Sequence, residues 1–542
     1  MLKISIKVSI MRRIKLFCIC FLLFFFSVNQ ANNTVSADYW KLSKAYYSIL
    51  KCYVDSLSEK DLVEYAIQGM LKELDPHSVY ISKEEVERAN ESIVGNFDGI
   101  GISFQMIDDT LTVMQTIAGC PAEKVGMLAG DKVIAVFDKT IAGVKMSTND
   151  ISKLIRGPRG TEVSIKVVRH GVANPIDFLI TRDKIPIYSL DAAYFINPQT
   201  AYIKLNSFAQ NTMNEIYDAC DSLNLWKCDN LILDLQGNGG GLLSTALYLA
   251  DEFLEHQKMI VYTKGFSEPQ VNDFATKNGR FEDVNLIILV DESSASASEI
   301  VAGAVQDWDR GLVVGRRTFG KGLVQRPMIL PDGSHIRLTV ARYYTPSGRC
   351  IQKPYNAGIE AYQKELMQRY IHGEMQTLDS INFPDSLRYQ TCSLRRIVYG
   401  GGGIMPDVFV PIDTTFYSDY YRDLLAKGVL NKTIANYITK HSHFIRKKYP
   451  TFEHFNKNFV LEESFLSELI ENGEKQGVVF NEKEWDTSKP FVVLQIKALI
   501  ARDLWVSADY YKIMNQFNTS LIKALDILSK TKNIKQYIKT NL

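Results

Sequence analysis

The stretch from Asp291 to Gln325 permits few folds. Just before it, Leu286-Ile-Ile-Leu-Val290 is an apolar run of buried-strand length. A serine cluster follows, Ser293-Ser294-Ala295-Ser296-Ala297-Ser298. Then comes Glu299-Ile-Val-Ala-Gly-Ala-Val-Gln306, whose small apolar residues predict a buried helix. Strand, sharp polar turn and helix in that order predict an α/β layer. They place one serine at a helix N-terminus, among unpaired N–H groups and at the positive end of the helix dipole. Such a position suits a hydroxyl nucleophile whose product is an oxyanion. The stretch closes on Gly320-Lys321-Gly322-Leu323-Val324-Gln325.

With 542 residues the chain is too long for one core. The net charge of +1 argues against a nucleic-acid partner, which would call for a strong basic excess. The N-terminus stands apart. Arg12, Arg13 and Lys15 precede the apolar run Leu16 to Val28, which has the length and flank of a secretory segment and is short for a membrane span. Residues 1–37 are therefore read as a signal peptide, cleaved after Ala31 or Ala37, of which Val35-Ser36-Ala37 fits the small-residue rule better, and the protein as exported to the periplasm or cell envelope. An uncleaved segment that associates the chain with a membrane is the alternative. Removing 1–37 leaves 57 basic against 61 acidic residues, a net charge of −4. The cysteines beyond it are widely spread, form no C-x-x-C pair, and read as small buried hydrophobes.

Four further regions follow. Residues 38–92 read as helical, with Leu62, Ala66, Ile67, Met70, Leu71 and Leu74 at helical spacing. Residues 93–183 change to alternating strands with one helix at Ser147–Ile155. Their Gly99-Ile100-Gly101-Ile102 lead-in resembles a PDZ domain, in which such a loop takes a peptide's terminal carboxylate. A plain tight turn is the competing reading of the two glycines. Residues 184–412 alternate strands and helices; the loop Gln236-Gly-Asn-Gly-Gly-Gly241 follows the buried strand Asn230–Leu235, where α/β folds place sites. Within them, 350–400 read as an insertion with a charged helix near Gly358–His372. Residues 413–542 are lysine-rich, aromatic and helical, and read as a cap or as a surface for a second copy or an adaptor.

No G-x-S-x-G elbow or H-E-x-x-H motif is present, and the histidines show no metal spacing. Lys321, flanked by glycines and followed by Leu323 and Val324, is the distinctive base: burial lowers a lysine pKa toward neutrality. If 321–325 is a strand, Lys321 and Gln325 share a face, and the amide orients the amine. Ser296-Ala-Ser-Glu299 also fits the helix capping box, so a cap accounts for Ser296 without catalysis.

The motifs together resemble the carboxyl-terminal processing peptidases, secreted tail-specific serine proteases. They run in order from Leu74-Asp-Pro-His-Ser78 through Gly95-x-Phe-x-Gly-Ile-Gly-Ile102, Arg156-Gly-Pro-Arg-Gly-Thr161 and Asp234-Leu-Gln-Gly-Asn-Gly-Gly-Gly241. They continue through Ser294-Ala-Ser-Ala-Ser-Glu-Ile300 and Thr318-Phe-Gly-Lys-Gly-x-Val-Gln325 to Gly403-Ile-Met-Pro-Asp407. The resemblance implies a multidomain α/β chain: a crotonase-like β/β/α protease core, an inserted α+β PDZ domain and helical ends. It implies Ser296 as nucleophile, Lys321 as general base and Gln325 as the residue orienting it. The oxyanion donors would be the N–H groups of Gly240 and Ala297. Glu299 and Arg156 would be accessory, Arg156 coupling the PDZ domain to the site. Neither metal nor nucleotide is required, and the partners would be proteins or peptides with apolar C-termini. Gln236 departs from the family's arginine, removing an ion pair, and Gly239 departs from its proline, loosening the loop. The rival expectation is a secreted PDZ scaffold with an inactive core.

Overall fold

The computed structural model describes residues 36–542; the apolar N-terminal run lies outside them. Residues 37–72 form two helices, Ala37–Cys52 and Glu59–Lys72, each opened by a serine whose hydroxyl accepts a first-turn N–H: Ser36 from Tyr39 and Ser58 from Asp61. The Tyr46 hydroxyl donates to Glu59 across the pair at 2.8 Å. Only Leu71 of these two helices is buried, so the helical spacing of 62–74 does not mark a full core stripe.

Residues 74–542 are built around a six-stranded sheet. Its order is Leu190–Asn197, Thr200–Leu205, Asn230–Asp234, Asn285–Val290, Leu312–Gly315 and Val408–Phe409; the first pair is antiparallel and the rest are parallel. A parallel sheet covered on both faces needs strands apolar throughout, and Leu286–Val290 meets that need. Leu286, Ile288 and Val290 join Ile300, Val301 and Ala304 of the helix Ala297–Asp307 in one core. Ile287 and Leu289 join Leu521, Ala524 and Ile527 of the helix Thr519–Lys530 in another.

That second core corrects the reading of 413–542 as a cap. Its last two helices, Thr519–Lys530 and Ile534–Asn541, cover the second face of the six-stranded sheet. The helices before them, from Asp419 to Met514, have a separate core that includes Leu424, Ile434, Leu469 and Ile496.

A five-stranded sheet packs on the other side of the helix Ala297–Asp307. It holds Val79–Ile81, His335–Tyr344, Met259–Lys264 and Val271–Phe274, with Leu323–Ile329 added to His335–Tyr344. The segment read as an insertion is also tied into this region. Its helix forms at Ile359–Ile371; the buried Arg369 donates to the carbonyls of Thr318 (2.8 Å) and Phe319 (3.1 Å), and the Lys353 N–H donates to Gly320 O (2.9 Å). Residues 350–400 thus brace the loop that carries Lys321.

The small domain is a sheet of Ile102–Ile107, Thr110–Thr116, Lys132–Val136, Glu162–Val168 and Ile176–Thr181, with the helix Thr148–Ile155 capped by Ser147. Leu111, Val133, Ile151 and Ile165 lie in its core. Among the described residues Ile102–Ile107 is an edge strand, paired only with Thr110–Thr116. All six cysteines among the described residues are free: Cys120, Cys220 and Cys228 are buried, but Cys52 is exposed. No described helix is long and apolar enough to cross a membrane.

Candidate active site

The serine turn sits where the central strand Asn285–Val290 meets the buried helix. Its serines differ in use. Ser294 Oγ donates to Leu235 O (2.8 Å) and Ser298 Oγ to Asn238 O (2.9 Å), fastening the turn to the glycine loop. Ser296 holds φ +56°, a region that non-glycine residues seldom occupy and that recurs at functional sites. Half of the predicted capping box forms: Glu299 Oε2 accepts the Ser296 N–H at 2.8 Å, whereas the Glu299 N–H donates to the Ser296 main-chain O (2.9 Å) and not to its hydroxyl.

Glu299 does more than cap. It is fully buried, and the same carboxylate accepts the N–H groups of Gly320 and Lys321 at 2.8 Å each and the hydroxyl of Thr318. Burial pushes its pKa up to about 7 against those four donors. Tyr343 makes the complementary link. Its hydroxyl is within hydrogen-bond reach of Ser296 O (3.1 Å) and of Lys321 O, and its N–H donates to Gly322 O (3.0 Å). Two buried side chains, one accepting and one donating, therefore staple the main chain of Ser296 to that of Lys321. Tyr343 comes from the second sheet, 47 residues from Ser296, and no local motif marks it.

No hydrogen bond joins the Lys321 amine to the Ser296 hydroxyl. The amine lies in a part-buried place where desolvation lowers its pKa first and the Arg337 charge adds to that, with Glu299 and Asp75 opposing. Gln325 does not touch Lys321 either. Lys321 precedes the strand Leu323–Ile329, so the strand's alternation does not extend to it; the register against His335–Tyr344 also shifts at Val324/Gln325, where Val340 is the extra residue and Gln325 comes opposite Thr339. The Gln325 amide instead donates to Thr339 Oγ1 at 3.4 Å, and Thr339 Oγ1 donates to Asp75 Oδ1 at 3.0 Å. Buried Asp75 also takes the N–H groups of His77 (2.8 Å) and Ser78 (3.0 Å) and the Ser78 hydroxyl. Beside it, burial first and the Lys321 charge next lower His77 to about 4, so its ring is neutral near pH 7; it shares a 2.8 Å bond with the Tyr362 hydroxyl. The run Leu74–Ser78 pointed to this corner only as part of a family pattern, without roles.

Gly240 and Ala297 are neighbours. A Cβ on Gly240 would lie 2.7 Å from that of Ser296 and 2.9 Å from Ala297 N, so only glycine fits. The Ala297 N–H, at the start of its helix, donates to no group among the described residues. The Gly240 N–H does not stand free: it donates to Asn238 Oδ1 at 2.8 Å, while Asn238 Nδ2 donates to Leu205 O at 3.0 Å. Main-chain and side-chain bonds hold the loop on either side of Gly239. Gly237 N–H is held by Asp291 Oδ1 (2.9 Å), and Asn238 O takes the Ala295 N–H (3.0 Å) as well as the Ser298 hydroxyl. Gln236 makes amide contacts with the C-terminal helices: Asn518 Nδ2 donates to Gln236 Oε1 (2.9 Å), and Gln236 Nε2 to Ser520 Oγ (3.4 Å).

In the small domain, Ile100 is buried. Gly101 has φ +81°, and a Cβ there would meet Cys120 Cβ at 2.3 Å. The carbonyls of Ile100 and Gly101 accept from Ala122 and Ile117, whereas their N–H groups donate to nothing among the described residues. Gly99 ends the preceding strand, and Ile102 starts the edge strand. Arg156 is not brought to the serine. It pairs with Glu91 at 2.6 Å and lies over the Phe97 ring, 4.1 Å from its centroid, tying the domain's helix to the segment before it.

Comparison with known proteins agrees with this layout. Residues 199–361 match peptidase family S41, 112–169 a PDZ domain, 26–85 the N-terminal domain of the activating protease CtpB, and 420–506 a family of unknown function. The chain is 38% identical over 305 residues to the carboxy-terminal-processing protease of Bartonella bacilliformis, covering 55% of this chain and 69% of that one. It is 35% identical over 328 residues to the carboxy-terminal processing protease CtpA of Bacillus subtilis, covering 60% of this chain and 69% of that one. Among solved structures it is similar to the photosystem II D1 C-terminal processing protease, at 25% identity over 70% of this chain and 88% of that one, with a TM-score of 0.36. The architecture is thus a protease core carrying a PDZ domain. More narrowly, the chain belongs to the carboxy-terminal processing proteases of peptidase family S41.

Proposed function

We propose that this protease is a serine endopeptidase that takes the apolar C-terminal tail of exported proteins on its PDZ domain and cleaves them at Ser296. The observation that carries the reading is the double staple. Glu299 and Tyr343 hold the peptide units of Ser296 and Lys321 together, so a strained serine and a desolvated lysine share one buried frame. Neutral Lys321 takes the proton of Ser296 Oγ as that oxygen attacks the peptide carbonyl. The Ala297 N–H receives the oxyanion, joined by the Gly240 N–H once it turns from Asn238. Lys321 then protonates the leaving amine, and water, deprotonated by Lys321, releases the acyl group. Gln325 acts at one remove, through Thr339 and Asp75. A tail peptide would extend the sheet along Ile102–Ile107, with its carboxylate at the free N–H groups of Ile100 and Gly101.

The test is cleavage of an unfolded protein bearing an apolar tail by wild type and by Ser296→Ala. Cleavage by wild type alone is expected; equal cleavage by both would overturn the Ser296 assignment, and cleavage by neither would favour the scaffold reading. Export is part of the proposal. Cleavage after Ala31 keeps the Ser36 cap of the first helix, whereas cleavage after Ala37 removes it. N-terminal sequencing of the exported chain should therefore start at Asn32.

A further inference from the structure

The edge strand Ile102–Ile107 does not end in open solvent. Beyond its far end lies a cleft of about 790 Å³ with two kinds of wall. One wall is PDZ: Phe104 to Met106 on the strand, Asp108, and Thr148 at the first turn of the domain's helix. The other comes from the helices Val429–Lys448 and Glu463–Lys475 and the turns beside them, in the region that matches a family of unknown function. The walls are joined. Lys432 pairs with Asp108 at 2.6 Å, Ala435 packs on Ile107 and Met114, and a Cβ on Gly130 would touch Thr439 at 3.1 Å.

The charge of the cleft is one-sided. Lys427, Lys432 and Lys475 line it, and Asp108 is the only acidic side chain that does. Lys432 offsets Asp108. Lys427 donates to the carbonyls of Gln476 and Gly477 at 2.9 Å each, which orient the amine without neutralising it. Lys475 is well exposed, 3.8 Å from Glu471. The amide side chains of Asn436 and Asn472 add neutral donors.

Position fixes what would reach this place. A peptide added antiparallel to the edge strand, with its carboxylate at Ile100–Gly101, runs toward Ile107 at ~3.3 Å per residue, so the residues about four to six before its last come abreast of Met106–Asp108. We propose that the 420–506 helices extend the PDZ groove into a second subsite, and that its lysines select tails with acidic side chains at those upstream positions. The proposal rests on the reading of Ile102–Ile107 as the tail-binding strand. It goes further in giving the helical region a part in substrate choice.

The test uses the full chain with Ser296→Ala, which leaves bound peptide intact, and fluorescent peptides with the same apolar last residues. One series has Glu at the upstream positions, one has Gln, and one has Glu with a C-terminal amide. The expected Kd for the Glu peptide is about three- to tenfold below that for the Gln peptide at low ionic strength, the gap narrowing with salt. Adding Lys427→Gln and Lys475→Gln should close the gap and leave the Gln-peptide Kd unchanged, which also shows that the variant is folded. Equal Kd values for Glu and Gln, with the free acid still preferred over the amide, would overturn the subsite alone. Equal binding of free acid and amide would take down the tail-binding reading and the subsite with it. A gap that survives both lysine substitutions would place the selectivity elsewhere and also overturn the subsite.

Discussion

Residue by residue, the site divides into groups that do chemistry and groups that hold them. Lys321→Met should leave Ser296 without its base and lower kcat/KM by about 10²–10⁴. In wild type the base form grows as pH rises through the lowered Lys321 pKa. Activity should therefore climb with pH and level off below the range where an exposed lysine titrates; a profile that falls between pH 6 and 8 would exclude a lysine base. Tyr343→Phe removes the donor reaching Ser296 O and Lys321 O. The expected loss is about 10- to 100-fold in kcat with little change in KM, together with about 1–3 kcal/mol of stability for the unpaired carbonyls. Glu299→Ala should be worse, because it strands three buried N–H groups. Ser296, Lys321 and Glu299 were legible because each lies inside a short pattern with a chemical reason. Tyr343 and Thr339 were not, because they come from distant segments and look like ordinary strand residues; Asp75 and His77 lay inside the Leu74–Ser78 motif, but no role attached to them. Gln325 was misplaced because the strand begins only at Leu323, which leaves Lys321 outside the alternation that would join them.

Elements show a similar division. The strand, serine turn and helix at 286–307 formed as their composition required, and so did the PDZ helix and the helix near Gly358–His372. The destination of the last two helices was not legible. Their apolar stripes say that one face is buried but not against what, and most of the sheet they cover lies far earlier in the chain, as the 247-residue separation of Asn285 from Lys532 shows. Each buried leucine or isoleucine there contributes about 1.5–3 kcal/mol. Leu521, Ile527, Ile534 and Ile538 together approach a whole domain's stability, about 5–15 kcal/mol. Leu521→Asp should therefore leave little folded protease, seen as a collapsed Tm. Asn518→Ala, which frees Gln236 without opening the core, should keep the Tm within a few degrees and lower activity through the glycine loop.

For the whole molecule, the ordered motifs foretold a protease core, a PDZ domain and helical ends, because each is local. Composition also set bounds, since the near-neutral charge argued against a nucleic-acid partner. How the parts brace one another was beyond reach. The 350–400 segment holds the Lys321 loop, and the 420–506 helices meet the PDZ edge through contacts between surfaces that carry no motif. The central claim is that Ser296 is the nucleophile and Lys321 its base. Labelling with a fluorophosphonate, followed by peptide mapping in a mass spectrometer, tests both at once. The adduct should fall on Ser296 in wild type and be largely lost in Lys321→Met; an adduct on another residue, or labelling undiminished without Lys321, would contradict the account.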